Sequence, residues 1–235
     1  PAVLLAAFLK GITGLGFSTL CLALLANTID LRLALPLVLL PSLSSNVLVM
    51  VQAGHFTQTL KRFRWLYLSA LPGLAIGITI LSAAAPQSLG AFLGVVLIIY
   101  AIFALANPTF HLKERWSRFL AAPVGFLTGI VNGATGSQVM PALPFLMSLK
   151  LSRDELVQAI NISFTLGSIV MLGGLTTIGI LSLPMLAISV LGIIPVWIGI
   201  TAGGWVRTRL PETWFRTGVL LMLIGLGGNL FLSAL

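Results

Sequence analysis

The chain has 235 residues, of which 58% are hydrophobic and 8% are charged, and its mean hydropathy is +1.10. Because a soluble domain carries roughly 25% charged residues, this composition excludes a soluble globular protein and predicts one that lies in the lipid bilayer. The formal net charge of +8 does not indicate nucleic-acid binding, since the basic residues cluster in short loops between apolar segments, as the positive-inside rule describes.

Six apolar segments are long enough to cross a bilayer as helices of about 20 residues. They are residues 33–53, 65–84, 88–107, 155–175, 183–203 and 213–233. Two further segments, 1–28 and 119–149, each contain a glycine cluster near the centre. We predict an all-α polytopic membrane protein in which each of these two segments forms two half-helices around a glycine-rich tip. Such a segment is either a broken crossing helix or a re-entrant hairpin.

The two glycine clusters share a five-residue motif. Lys10-Gly11-Ile12-Thr13-Gly14 and Asn132-Gly133-Ala134-Thr135-Gly136 begin 122 residues apart. A helix break at membrane depth frees backbone polar groups that need partners inside the protein, and paired breaks in two halves are typical of a binding site at a repeat interface. Pro72 and Pro195 extend the similarity at a spacing of 123 residues. We therefore predict two transmembrane repeats, residues 1–112 and 113–235.

The positions of the basic residues distinguish between the two topologies. If both glycine-containing segments cross the bilayer, six Lys or Arg residues fall on each side. If both are re-entrant, only Arg32 lies on one side, Lys10 lies in the membrane, and the other side holds Lys61, Arg62, Arg64, Lys113, Arg115, Arg118, Lys150, Arg153, Arg207, Arg209 and Arg216. The positive-inside rule favours the second topology, with the basic side cytoplasmic. Each repeat is then one re-entrant hairpin plus three transmembrane helices, and the second repeat is inverted relative to the first.

Lys10 is the one charged residue well inside an apolar segment. Intramembrane charges usually mark a ligand path, although a lysine can also extend its ammonium to the interface. Helix starts at the tips attract anions through free N–H groups, while glycines also serve close helix packing. The predicted substrate-binding residues near the tips are Lys10, Gly11, Thr13, Gly14, Gly16, Ser18, Asn132, Gly133, Thr135, Gly136, Ser137 and Gln138.

The segments after the two tips add further polar residues. Asn46 and Asn161 are predicted to complete the binding site, because an amide in hydrocarbon needs partners; bonding between helices is the alternative. Hydroxyl groups accompany them at Ser42, Ser44, Ser45, Ser163, Thr165 and Ser168. No Asp or Glu lies in the interior of a spanning segment, since Glu155 stands at the very end of one, and this argues against an acid-based proton relay or a cation-selective site. The residues alone therefore indicate a small anionic substrate, with no metal, no cofactor and no catalytic pair that would make the protein an enzyme.

At its glycine motifs the chain resembles the TauE/SafE sulfite exporter family of membrane permeases. The resemblance lies in Gly11-Ile12-Thr13-Gly14-Leu15-Gly16 and Gly133-Ala134-Thr135-Gly136, followed by Pro141-Ala142-Leu143-Pro144. The first copy departs from the second in having Thr19 where the second has Pro141. The resemblance implies export of a small sulfur oxyanion, such as sulfite or a related organosulfonate, across the bacterial inner membrane. An anion channel, another non-enzymatic membrane protein and an intramembrane enzyme are the alternatives.

The charge distribution makes a direct prediction about topology. Both chain termini are expected outside, and the loops at 54–64, 108–118 and 204–212 inside. Single cysteines at positions 59 and 235, introduced into a Cys21→Ala background, should therefore react with impermeant reagents added from opposite sides of the membrane. Reaction of both positions from the same side would contradict the inverted arrangement of the two hairpins.

Overall fold

A computed structural model describes residues 2–13, 16–106, 112–207 and 212–234. The described residues form helices connected by short turns, and no strand occurs among them. In chain order the helices are α1 (Ala2–Thr13), α2 (Phe17–Ala26), α3 (Leu31–Ala53), α4 (Phe56–Arg62), α5 (Arg64–Ala83), α6 (Pro86–Ala106), α7 (Glu114–Thr135), α8 (Ala142–Met147), α9 (Arg153–Thr177), α10 (Leu183–Leu191), α11 (Ile193–Arg207) and α12 (Glu212–Leu232). The prediction of an all-α fold is confirmed.

Five stretches of the described helices are long and apolar enough to cross a bilayer. They are Leu31–Val51, Arg64–Ala83, Pro86–Ala106, Asp154–Thr177 and Leu183–Val206, and they coincide with five of the six predicted spans. Helix α12 covers the sixth predicted span, with an apolar part at Thr217–Leu232. The chain is therefore a polytopic membrane protein, as its composition predicted.

Two details of the spans differ from the prediction. The loop at 54–64 contains the short helix α4, on which Thr59 is buried; Lys61 on the same helix is exposed and suits topology labelling better. The span at 183–203 is two helices, α10 and α11, which meet at Gly192. Pro195 lacks the N–H that would bond the carbonyl of Leu191, and this explains the interruption.

The two glycine-containing segments fold differently from one another. Helices α1 and α2 have 12 and 10 residues, about 18 and 15 Å at 1.5 Å per residue, so each is a half-helix as predicted. In the second segment α7 has 22 residues and starts at Glu114, before the predicted start at 119, while α8 has only six. The Leu112 N–H donates to the Ser148 carbonyl at 3.0 Å. The chain between these two residues therefore ends beside the place where it began.

Helices from the two halves of the chain pack against each other in a reciprocal way. Helix α1 lies along α11, and α7 lies along α5. Helix α3 packs against α9, and α6 packs against α12. In two related halves, α1 corresponds to α7, α5 to α11, α3 to α9 and α6 to α12. Exchanging the halves therefore turns the pairing of α1 with α11 into that of α7 with α5, and it leaves the other two pairings unchanged. This is the pattern expected of two related halves, while the division at residue 112 and the inversion stay predictions.

Close crossings hold α1 to α11 and α7 to α5. A Cβ built on Gly11 would lie 2.9 Å from Gly203 Cα, and one on Gly133 would lie 2.8 Å from Gly77 Cα. Real Cβ atoms do not approach so closely, so only glycine allows these backbone contacts, as is typical of helix packing in membranes. Gly11 and Gly133 thus occupy helix–helix contacts rather than the tips of the hairpins.

Pro41, inside α3, leaves a backbone carbonyl without its helical partner, and a side chain of α10 binds this carbonyl. A proline has no N–H, so the carbonyl of Leu37, four residues earlier, loses its helical partner. The hydroxyl of Ser189 on α10 donates to this carbonyl at 3.2 Å and accepts from the Leu40 N–H at 3.4 Å. Ser189 is fully buried, so solvent does not reach its side chain.

Arg32 is bound to the end of a helix. Its Nε and Nη2 atoms donate to the Leu81 carbonyl at 3.0 and 2.8 Å, and Nη2 also donates to the Ala84 carbonyl at 2.6 Å. These carbonyls lie at the C-terminal end of α5, where the helix dipole favours a cation. The single basic residue that the predicted topology places opposite the others is thereby held by α5.

The role of Ser189 can be measured. Ser189→Ala leaves the Leu37 carbonyl without a partner in an apolar environment, so it should destabilise the protein by about 0.5–1.5 kcal/mol. Unfolding in mixed micelles provides the measurement. Thr201→Val is the control, because Thr201 is exposed and its hydroxyl donates only to a carbonyl of its own helix, at Trp197. Equal stability of the Ser189→Ala variant and the parent would contradict this role.

Candidate functional site

The two glycine-rich breaks meet inside the helix bundle. Ser18, in the first turn of α2, donates from Oγ to the Gly136 carbonyl at 3.3 Å. Gly16 and Gly136 have φ values of 85° and 73°, a left-handed conformation that glycine adopts without strain. Gly136 ends α7 and Gly16 precedes α2. The structure thus brings together two breaks that are far apart in the sequence.

A small cavity lies where the breaks meet, and we call it the inter-hairpin cavity. Its volume is about 20 Å³. Four parts of the chain contribute walls: α2, α3, the segment after α7, and α9. The lining residues are Ser18, Leu22, Leu35, Val38, Leu39, Ser42, Gly136, Gln138, Ser168 and Met171. Hydroxyl and amide groups therefore face an otherwise apolar space in the middle of the bundle.

Lys10 lies in the protein interior. Its side chain is 4% exposed, and its ammonium donates to Ser45 Oγ and to Asn46 Oδ1, both at 2.9 Å. Both partners are neutral. The ammonium therefore does not extend to the membrane interface, and its charge is held by α3.

A chain of polar groups leads from Lys10 to the inter-hairpin cavity. Asn46, which accepts from the ammonium, donates from Nδ2 to Ser42 Oγ at 3.4 Å. Ser42 lines the cavity. Elsewhere in the wall of this cavity, Gln138 Nε2 donates to Ser168 Oγ at 3.2 Å. A positive charge is thus linked through two neutral side chains to a polar cavity between the two helix breaks.

A second cavity, of about 10 Å³, lies beside the first. We call it the α7 cavity, because α7 contributes Thr128, Gly129 and Asn132 to its wall. The other lining residues are Tyr67, Ala70, Leu71, Leu74, Gln138, Ser163, Leu166 and Gly167. Gln138 lines both cavities. Neither Tyr67 nor Gly167 was predicted as a site residue, because nothing in their sequence context distinguishes them from packing residues.

Several buried polar atoms have no hydrogen-bond partner among the described residues. They are Asn132 Oδ1, Ser137 Oγ, Gln138 Oε1 and Thr165 Oγ1. All four belong to the second half of the chain, and three of them lie at or next to the break after α7. Buried polar groups in proteins are nearly always paired, so this cluster stands out as a place where a ligand or ordered water would bind.

The remaining predicted residues lie outside these contacts. Thr13 is the last residue of α1, and Gly14 lies outside the described residues. Thr135 Oγ1 donates to the Val131 carbonyl within α7. Asn161 Nδ2 likewise donates to Val157 in its own helix and is not among the lining residues of either cavity. The structure therefore gathers Ser18, Gly136 and Gln138 at one cavity and connects Lys10 and Asn46 to it.

Broken helices that meet around a polar cavity inside an apolar bundle define the class of membrane transport proteins. The chain belongs to one family of this class: the pattern of the family described as Sulfite exporter TauE/SafE matches residues 1–230. The predicted family is thereby confirmed. Searches of curated proteins and of solved structures returned no match.

Gly136 offers a test of the contact between the breaks. A side chain there is strained at φ 73°, which costs about 1–2 kcal/mol, and its Cβ would also lie 2.8 Å from Leu22 Cδ1. Gly136→Ala should therefore lower the thermal unfolding temperature in detergent. Gly173→Ala is the control, because a Cβ on Gly173 in α9 meets nothing within 4 Å. Equal stability of the two variants would contradict the tight contact at Gly136.

Proposed function

We propose that the protein exports a small sulfur oxyanion, such as sulfite or a related organosulfonate, and binds it near the membrane midplane between the two hairpin breaks. The observation that carries this proposal is the buried Lys10 ammonium. Its hydrogen-bond partners are neutral, and it is linked to the inter-hairpin cavity through Asn46 and Ser42. Family membership supports a transport role.

The charge of Lys10 favours an anionic substrate. Removing an ion from water costs roughly several kcal/mol of hydration free energy, and attraction to an opposite charge can offset this cost. Hydrogen bonds from neutral oxygens supply part of that compensation, and a bound anion would supply the rest. The hydroxyls of Ser18, Ser42 and Ser168 around the cavity can donate to an oxyanion. Positive potential and hydroxyl donors together match a small oxyanion better than a neutral substrate.

The size of the cavity implies that binding requires movement. Its 20 Å³ has room for about one water molecule, so a sulfur oxyanion would need wider space. Parting of α2 from the segment after α7 would break the hydrogen bond from Ser18 to Gly136. Movement of two hairpins around a fixed site is the general mechanism of alternating access.

The protonation state of the substrate follows from the same charges. A dianion loses more hydration on entry than a monoanion, and one lysine offsets only part of that loss. We therefore propose that the singly charged form enters. Sulfite exchanges a proton near neutral pH, so the substrate itself would carry the proton, and the spanning segments would need no carboxylate.

The proposed topology places both glycine-containing segments as re-entrant hairpins. The hydrogen bond from Leu112 to Ser148 supports this for the second segment, because both ends of a re-entrant hairpin must emerge on one side. The short lengths of α1 and α2 support it for the first. Together with the charge distribution, this arrangement suits a multi-pass protein of the bacterial inner membrane whose two halves are inverted relative to each other.

Replacement of Lys10 tests the proposed anion site. Lys10→Ala should weaken sulfite binding by about 1–3 kcal/mol, the range of a hydrogen bond to a charged group, and Lys10→Arg should not restore it, because a guanidinium is larger and planar. Titration calorimetry on purified variants measures the affinity, and flux into proteoliposomes measures transport. Lys113→Ala is the control, because it removes the same charge from an exposed position.

The outcomes separate the proposal from its alternatives. Unchanged sulfite affinity in a folded Lys10→Ala variant would remove Lys10 from the site. Sulfite flux that rises linearly with concentration, without saturation, would favour an anion channel over a transporter. Absence of flux in the parent protein, with a folded sample, would contradict the proposed function as a whole.

A further inference from the structure

The two cavities follow one another along the length of α9. Ser163 and Gly167 line the α7 cavity, whereas Ser168 and Met171, further along the same helix, line the inter-hairpin cavity. At 1.5 Å per residue, the stretch from Ser163 to Met171 covers about 12 Å of the helix axis. Gln138 lines both cavities. The cavities are therefore consecutive chambers, and the Gln138 side chain stands between them.

Two contacts establish which end of the bundle the α7 cavity lies nearer to. The Tyr67 hydroxyl, near the start of α5, donates to the Ala159 carbonyl, in the second turn of α9, at 3.1 Å. Further along, a Cβ built on Gly174 of α9 would meet Ile78 of α5, so α5 and α9 run in the same direction. The α7 cavity uses residues 67–74 of α5, in the first part of that helix. The cavity therefore lies nearer the end at which α5 and α9 begin, which the proposed topology makes cytoplasmic.

Two hydrogen-bond donors in the wall of the α7 cavity have no partner among the described residues. The Ser163 side chain is half-buried, and its hydroxyl bonds to none of them. Asn132 Nδ2 likewise donates to none of them, while Oδ1 of the same amide is the fully buried atom. A Cβ on Gly167 would lie 2.5 Å from this Nδ2, so a glycine at 167 leaves room for it. Because hydrocarbon cannot satisfy such donors, they indicate a space that water or an oxyanion enters.

The two halves of the chain differ at this place. Lys10 and Ser45 in the first half correspond to Asn132 and Gly167, 122 residues later. In the first half the Lys10 ammonium reaches Ser45 Oγ at 2.9 Å, so a long side chain spans the gap between α1 and α3. In the second half the asparagine is shorter, and Gly167 has no side chain to meet it. Space that is filled in the first half is therefore left vacant in the second.

We propose that the α7 cavity is the arm of the anion path that leads to the cytoplasm, and that Gln138 is the gate between this arm and the inter-hairpin cavity. In the arm, Ser163 and Asn132 donate to the passing oxyanion. The hydrogen bond from Gln138 Nε2 to Ser168 Oγ, at 3.2 Å, keeps the gate closed in this structure, and rotation of the Gln138 side chain to another rotamer would join the chambers.

The identity of the ligand rests on the proposed function, whereas the existence of the path does not. The α7 cavity has a volume of about 10 Å³, which admits about one water molecule. The arm therefore widens when an oxyanion passes, as the inter-hairpin cavity does.

Cysteine accessibility tests the path, with 2-sulfonatoethyl methanethiosulfonate as an impermeant reagent that is itself an organosulfonate. In a Cys21→Ala background, Ser163→Cys should react when the reagent is added from the side on which Lys61→Cys reacts, since Lys61 is exposed just before α5 begins. Ala159→Cys is the control and should stay unreactive, because Ala159 is fully buried, lies one turn nearer that end and lines neither cavity. A Ser163→Cys variant that reacts no faster than Ala159→Cys, or only from the opposite side, would overturn the path.

The charge of the reagent tests the class of ligand. Relative to Lys61→Cys, Ser163→Cys should favour the anionic reagent over its cationic trimethylammonium analogue by about tenfold, the lower end of the effect of local potential on the arrival of ions. Equal reactivity, or a preference for the cation, would overturn the assignment to an anion. Sulfite flux through the parent protein in proteoliposomes is measured separately: its absence beside a reactive Ser163→Cys would reject the proposed function and keep the path.

Variants of Gln138 and its partner test the gate. Met171→Cys, which is buried and lines the inter-hairpin cavity, should react slowly with reagent added from the cytoplasmic end. Gln138→Ala and Ser168→Ala should each raise this rate by about tenfold, the effect of losing one hydrogen bond that holds the closed state. Gln158→Ala is the matched control and should leave the rate unchanged, because Gln158 is fully buried and lines neither cavity. An unchanged Met171→Cys rate in either gate variant would overturn the role of Gln138.

Discussion

The requirement that every buried polar group find a partner inside the protein governs this structure. Within hydrocarbon no water can satisfy a freed carbonyl or amide, so each departure from regular helix must be matched by a particular side chain. Ser189 compensates for Pro41 in α3, and Arg32 binds the carbonyls at the end of α5. The two glycine breaks meet the same requirement in part by facing each other.

That requirement also explains why the polar residues gather in one place. Breaks at membrane depth are tolerated only where protein or a polar cavity surrounds them, and the cavity between the breaks is lined by hydroxyls of α3 and α9 and by the amide of Gln138. The first half satisfies its polar side chains with the Lys10 ammonium. The second half has neutral Asn132 in that place and retains unpaired oxygens. The two halves thus share a backbone plan and differ in charge.

The sequence predicted most of the fold because bilayer thickness dictates the length of an apolar helix. It did not reveal the full length of α7, because the first turns around Glu114 and Arg118 are charged and hide a helix from a hydropathy argument. The six-residue α8 was equally invisible. The tip glycines were predicted as a group, yet only the structure separates Gly136, at the break, from Gly11 and Gly133, which allow helices to cross. Which amide oxygens lack partners depends on contacts with α9, where Ser168 lies 30 residues after Gln138.

The pairing of α1 with α11 has a consequence for biosynthesis. The first helix of the chain packs mainly against a helix that begins at residue 193, so it emerges from the ribosome long before its partner exists. Until then its Lys10 side chain can rely only on α3 for hydrogen bonds. The membrane must therefore accommodate an incompletely packed pair of helices, α1 and α2, during most of translation, and the last third of the chain closes the fold over the first. Insertion and final packing are consequently separate events in the life of this protein.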